Sequence, residues 1–117
     1  MLYKYACKLH RVVDGDTLDI NLDLGFHVWK RERIRLYGID TPEIFGPNAT
    51  EEGKAAKAFV EQWFADRARQ EGILVYESLR YDVKDKYGRG LGTITFYELG
   101  GTAYNLVGDL IAAGLIK

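Results

Sequence analysis

Two stretches of strict alternation place the strongest limit on the fold. In Thr17–Leu22, apolar Leu18, Ile20 and Leu22 alternate with polar Thr17, Asp19 and Asn21, the period of a strand with one buried face. From Val28 to Tyr37, Ile34 and Leu36 take one side while Arg31, Arg33 and Arg35 take the other, so this strand has a basic face. Gly25, central in Asp23–Phe26, supplies the turn between them. Upstream, Tyr3–Val13 is rich in β-formers and ends at an Asp14-Gly15-Asp16 turn. Three consecutive strands are therefore expected first.

A helix should follow. Asn48 can cap it with Glu51 completing a capping-box pattern, or Thr50 can take the cap. Ala56, Phe59, Val60, Trp63 and Phe64 then recur at helical spacing, with Lys57, Glu61 and Asp66 outside the stripe, and Gly72 is expected to end the helix. Ile73–Arg80 and Gly90–Tyr97 read as the fourth and fifth strands, joined by the polar Tyr81–Arg89 segment. Thr102 caps a last short helix with Leu106, Val107, Leu110 and Ile111 on its apolar side. This order predicts a mainly β chain with some α, a five-stranded antiparallel barrel with two helices. A length of 117 residues predicts one domain, 1–117, with no room for a separate cofactor domain.

Composition narrows the function. Hydrophobic residues make up 47% of the chain, enough for a packed core and too many for a disordered tail. The net charge of −1 gives no global positive field, so any polyanion must be gripped by local basic groups. Cys7 is the lone cysteine, which excludes an internal disulfide, and with His10 and His27 as the only histidines it argues against a zinc site. No basic-plus-apolar leader and no bilayer-length apolar run are present, so a chain without membrane partners is expected. Lack of a leader leans toward a cytoplasmic or mobile-element protein, and toward a secreted one if a leader was removed before Met1. The five Phe and two Trp are expected in the core.

The chemistry concentrates in Arg35-Leu-Tyr-Gly-Ile-Asp-Thr-Pro-Glu43. Arg35 and Asp40 are an odd number apart and face opposite ways on a straight strand, so they meet only if the chain bends, which Gly38 permits. Pro42 pushes Thr41 toward an extended conformation and donates no hydrogen bond, leaving the Thr41 carbonyl free. Asp16, Asp40, that carbonyl and Glu43 are hard oxygen donors of the kind Ca²⁺ or Mg²⁺ takes. Arg35 and Arg89 each offer a planar fork for phosphate. Taken singly, Asp14-Gly-Asp16 is a turn, Arg89 a solvated loop charge, Tyr87 a packing group, and Arg31 and Arg33 an exposed strand face. Asp82–Gly88 looks superficially like a calcium loop, but Lys84 stands where an oxygen ligand is needed.

Together, Val13-Asp-Gly-Asp-Thr17, Arg35–Glu43 and Asp85-Lys-Tyr-Gly-Arg-Gly-Leu91 resemble the staphylococcal nuclease family, in its motif order and spacing. The likeness covers nearly the whole chain. It implies an OB-fold barrel and a Ca²⁺-dependent phosphodiesterase acting on DNA and RNA and leaving 3′-phosphates. Asp16 and Asp40 resemble the family's metal carboxylates and the Thr41 carbonyl its backbone ligand. Glu43 resembles the general base, Arg35 and Arg89 the pair on the scissile phosphate, and Lys86 and Tyr87 the contacts to a neighbouring phosphate. All the residues this chemistry requires are present. Two departures stand out. The loop from Ile44 to Gly53 holds no Lys or Arg, and the family's third helix is missing. Its absence would leave apolar surface around Leu110–Ile116 uncovered, which predicts self-association or a truncated chain. The competing readings are a catalytically weak or inactive module that binds nucleic acid or protein, and a plain OB-fold single-strand binder. Clustered acids beside a phosphate track would hinder the last, and the complete ligand set places the nuclease first.

Overall fold

A barrel of five strands cannot be antiparallel throughout, because directions that alternate around an odd-membered ring must repeat once. The computed structural model, which describes residues 3–42, 50–79 and 84–116, puts that repeat between the third and fifth strands. The strands are β1 (Lys4–Asp14), β2 (Thr17–Asp23), β3 (Trp29–Leu36), β4 (Gly72–Ser78) and β5 (Gly90–Glu98). Neighbours run β3-β2-β1-β4-β5, all antiparallel, and Ile34–Leu36 then pairs parallel with Gly90–Gly92 to close the ring. The expected OB-fold barrel is thus present, but mixed and not purely antiparallel.

Alternation holds on β3 and on the apolar side of β2, but Thr17 and Asp19 on the polar side of β2 are buried as well. Leu18, Ile20, Ile34 and Leu36 are fully buried while Arg31 and Arg33 are exposed. Helix α1 (Glu51–Ala68) is capped by Thr50, whose hydroxyl accepts from Gly53 N at 3.0 Å; Asn48 lies outside the described residues. Its Ala56, Val60, Trp63 and Phe64 are buried, Phe59 is half-buried, and so are Lys57 and Asp66 at the flanks of the stripe. The helix ends at Arg69, short of Gly72. Gly72 serves β4 instead: a Cβ there would lie 2.3 Å from the Tyr97 carbonyl oxygen.

The C-terminal helix also starts later than the sequence suggests. Ala103–Asn105 forms a sixth strand, β6, on the edge of β5, and α2 (Leu106–Ala112) is capped by Asn105, not by Thr102. Asn105 does both jobs: its amide donates to the Thr93 and Thr95 hydroxyls at 3.0 Å, and its Oδ1 accepts from Gly108 N at 2.9 Å. Leu106 and Leu110 of α2 complete the core, while Ile111 is about half exposed. The aromatic expectation holds for Trp63, Phe64 and Phe96 and fails at the β2–β3 turn. There Gly25, Phe26 and His27 all take positive φ, which swings Phe26 99% into solvent, and Trp29 opens β3 on the outer face. Phe45 lies outside the described residues. Among the described residues no helix is long and apolar enough to cross a membrane.

The pairing of β4 with β5 relies on a missing side chain. A Cβ on Gly92 would sit 2.2 Å from the Glu77 carbonyl oxygen and 2.7 Å from the Tyr76 ring. Gly92→Ala should lower stability by about 1–3 kcal/mol through overpacking, read as a lower urea midpoint; a midpoint equal to wild type would show that β4 and β5 have room to part.

Candidate active site

Three chain segments meet at one end of the barrel. The tight turn between β1 and β2 carries Asp16, whose carbonyl accepts from Leu36 N at 2.8 Å. Thr17 then registers against Arg35 on β3, and Arg35 against Leu91 on β5. Backbone pairing alone therefore sets Arg35 between the turn that holds Asp16 and the strand that follows Arg89.

After Leu36 the chain leaves the strand through Gly38, at φ +87°, a conformation that suits glycine. This bend turns Asp40 back onto Arg35, as the odd spacing requires. One guanidinium nitrogen of Arg35, Nη2, bonds to Asp40 Oδ1 and lies 3.6 Å from Asp16 Oδ2. The same Asp16 oxygen accepts from Thr41 N at 3.1 Å, and its other oxygen accepts from the Thr17 hydroxyl at 3.1 Å. Thr41 is itself buried, and its hydroxyl oxygen finds no partner among the described residues. Gly15 makes this approach sterically feasible, since a Cβ there would fall 2.7 Å from that hydroxyl and 2.8 Å from Ala56 Cβ.

Two neighbouring carboxylates share this small space, and their environments drive them apart. Asp14 is pushed up to about 6, first by burial and then by the Asp16 carboxylate beside it. Burial acts upward on Asp16 as well, but the hydrogen bond with Asp14, the Thr41 N–H and the Arg35 charge outweigh it and hold Asp16 below the ordinary carboxylate value. Asp16, beside the Arg35 cation, is therefore the first of the pair to ionise as pH rises.

Arg89 arrives from the turn before β5. Asp85 accepts from Tyr87 N and Arg89 N, both at 2.9 Å, through Oδ1, and from Arg89 Nε at 2.7 Å through Oδ2. Backbone and guanidinium are fixed by one carboxylate, leaving the Nη edge free to reach the Thr17 hydroxyl at 3.5 Å. Tyr87, 71% exposed, lies beside it: the Arg89 guanidinium and the Lys86 ammonium are each 5.2 Å from the ring centre. The candidates Asp16, Arg35, Asp40, Thr41, Lys86, Tyr87 and Arg89 are thus grouped around one end of the barrel, and Glu43 lies outside the described residues. Asp14, Thr17 and Asp85, not among the candidates, are the groups that orient them; all three sit inside the motifs, which was the signal available.

No group of three or more His, Cys, Asp or Glu that could hold a metal occurs among the described residues. The donor set nevertheless suits a hard dication, since two carboxylates already converge on one cationic nitrogen beside an unsatisfied buried hydroxyl. Residues 33–117 match the family model described as staphylococcal nuclease homologue. The chain belongs to that family. Among curated proteins it is 37% identical over 100 residues to the thermonuclease of Staphylococcus intermedius, covering 82% of this chain and 50% of that protein. It is 33% identical over 100 residues to the thermonuclease of Staphylococcus hyicus, covering 84% and 51%. An uncharacterized protein of Methanocaldococcus jannaschii is 33% identical over 108 residues, covering 77% and 48%. The chain spans about half the length of these relatives.

Asp85 links the site to stability. Partial burial raises its pKa, but the Arg89 and Tyr87 N–H groups and the Arg89 guanidinium lower it further, so the net shift is downward from 3.8. A carboxylate with a depressed folded pKa contributes stability that is complete above its unfolded value and is lost as pH falls through the folded one. Asp85→Asn should therefore be less stable than wild type at pH 7, with the gap narrowing below about pH 3.8. Urea unfolding at several pH values measures this; a gap independent of pH would place the stabilisation elsewhere.

Proposed function

We propose that this chain is a Ca²⁺-dependent phosphodiesterase of the nuclease type, a single domain that hydrolyses DNA and RNA. The observation that carries the reading is the convergence of Asp16 and Asp40 on one nitrogen of Arg35. A solvated turn has no need of that arrangement, and a dication would find its carboxylates already gathered. Asp16, Asp40 and the Thr41 carbonyl would hold the ion. When bound, it supplies Lewis-acid polarisation of a phosphate oxygen and favours the ionised form of nearby water.

The chain's own residues do the remainder. Arg35 and Arg89 present forks to the non-bridging oxygens and offset the charge that builds on phosphorus as the bond to the attacking oxygen forms. Asp85 keeps Arg89 aimed, so little reorganisation is needed when a phosphate arrives. Lys86 and Tyr87, exposed beside Arg89, take the neighbouring phosphate. Glu43 accepts the proton of the attacking water. By family resemblance the bond broken is that to the 5′ oxygen, giving a 3′-phosphate and a free 5′-hydroxyl.

Digestion of single-stranded DNA with Ca²⁺, with EDTA, and by a Glu43→Ser variant tests this. Cleavage should require Ca²⁺, stop in EDTA and slow greatly in the variant. Arg35→Ala and Arg89→Ala should each cost about 10²–10³ in rate, the loss typical of one preorganised transition-state contact. Folded, pure wild-type protein that leaves DNA intact in Ca²⁺ would sink the enzyme and leave a binding module. Near-wild-type activity in either arginine variant would remove that arginine from the mechanism.

A further inference from the structure

The active site accounts for one end of β3, and the rest of that strand's outer face is basic without a role. Trp29, Arg31, Arg33 and Arg35 share it, spaced about 7 Å apart and spanning about 20 Å. On β1, Arg11 joins them by donating to Asp19 Oδ2 at 3.1 Å, the carboxylate that Arg33 also grips in a bidentate pair at 2.8 and 3.1 Å. Two arginines on one carboxylate leave a positive remainder. Arg31 has only a neutral partner, the Asn21 side-chain oxygen at 3.0 Å, and among the described residues it makes no ion pair. Lys8 adds a further cation, its ammonium 5.3 Å from the centre of the Trp29 ring. Asp23 accepts from Gly25 N in its own turn, Asp14 acts on Arg33 through its charge, and Glu61 of α1 lines the same hollow as Lys8, Asp23 and Trp29. Among the described residues, the positive charge left without an ion pair on this row is that of Arg31, and the row ends in an aromatic ring that is 47% exposed.

We propose that this face is a track for single-stranded nucleic acid leading from the active site along β3 to Trp29. It deepens the nuclease reading by assigning the path of the strand beyond the scissile phosphate, and it needs only that the chain bind a polynucleotide. Arg33 and Arg31 take successive phosphates, whose separation in an extended strand is close to the spacing of alternate strand side chains, and Arg11 stands beside Arg33 across Asp19. Trp29 stacks a base at the far end. Regular charges on one line, an arginine with no carboxylate of its own and a half-exposed indole are the features that a sequence-tolerant single-strand binder combines.

The test is binding of oligothymidylates of about 16 and about 4 nucleotides to the whole chain in EDTA, followed by anisotropy and tryptophan emission at several salt concentrations. Trp63 is buried, so quenching on binding reports Trp29. Wild type should bind the longer strand more tightly and with a steeper salt dependence. Arg31→Gln should reduce the slope of log K against log salt by about 0.7, the loss of one phosphate contact. Trp29→Ala should weaken the longer strand roughly five- to 150-fold and abolish quenching. Lys4→Gln, an equal charge change where β1 pairs with β4 and the ammonium faces Glu77, should leave binding of both strands unaltered.

Binding unchanged in Arg31→Gln and Trp29→Ala overturns the track, even if wild type cleaves DNA. Wild type that fails to bind the longer strand at low salt overturns it too. Displacement of the strand by poly-glutamate at equal charge would reassign the face to an acidic protein partner. The expected variant losses in a protein that cleaves nothing would uphold the track and remove the nuclease reading.

Discussion

The parallel pairing of β3 with β5 is the constraint on which the site depends. Arg35 is flanked by Thr17 on one side and Leu91 on the other, so the two ladders that close the barrel also set the distances between the motif residues. Asp16 and Arg89 each lie one residue outside a strand of these ladders, so only the Asp85 turn has to be held for them to flank Arg35. Gly90 and Gly92 stand opposite Ile34 and Leu36 in the parallel pairing, and both leave room for β4: a Cβ on Gly90 would lie 3.0 Å from the Tyr76 hydroxyl and 3.4 Å from the Ile34 side chain. The glycines after Arg89 therefore belong to the barrel more than to the turn. A change there would be felt at the candidate site without touching one of its side chains, since a shift of an ångström at a positioned fork costs much of its benefit.

Electrostatics then decides how so much charge is tolerated in so small a space. Asp14 and Asp16 are held close by the turn, with Asp16 N donating to Asp14 Oδ1 at 3.1 Å. Two adjacent carboxylates in a partly buried turn cannot both ionise cheaply. The structure resolves this by giving Asp16 the Arg35 charge and two hydrogen bonds while Asp14 retains its proton to higher pH. Cation and anion at this site are mutually dependent, and Arg35 offsets two carboxylates that would otherwise destabilise the fold. The same charge cannot be committed to both carboxylates and a phosphate, so whatever else compensates Asp16 and Asp40 releases Arg35 toward an anionic ligand.

Much of this was legible in the sequence, for reasons that differ by element. Alternation in Arg31–Leu36 reports burial directly. In Thr17–Leu22 the apolar side is buried as expected, but the polar Thr17 and Asp19 are buried too, held by Arg35 and Arg89 at the site and by Arg11 and Arg33. Gly38 was readable because an odd spacing between Arg35 and Asp40 demands a bend, and the bend is there. What could not be read were decisions made by distant partners. Gly72 looks like a helix stop but is required by its approach to Tyr97 across the sheet. Thr102 looks like a cap, yet Asn105 takes that role because Thr93 and Thr95 on β5 hold its amide. The parallel pair follows from counting strands around a closed ring, a step that local periodicity does not contain. Phe26 was misplaced since hydrophobicity argues for the core, whereas three successive positive φ values turn it outward. Asp85 sat within a recognisable motif, but its three hydrogen bonds to Tyr87 and Arg89 emerge only from the folded turn.

The acidic residues on the basic strand face deserve a physical account, because a surface built only for affinity would omit them. Asp19 reduces the net charge available to an anion, but it also fixes two long side chains that would otherwise be disordered. An arginine held in one rotamer by a bidentate partner has already lost the entropy that a phosphate would otherwise have to offset. Its outward nitrogens remain free, as Arg33 spends one edge on Asp19 and is still about half exposed. Asp85 does the same for Arg89 at the candidate site. In both places a carboxylate behind the guanidinium trades charge for orientation, and the trade favours a surface that must hold a flexible polyanion in register over one that merely attracts it.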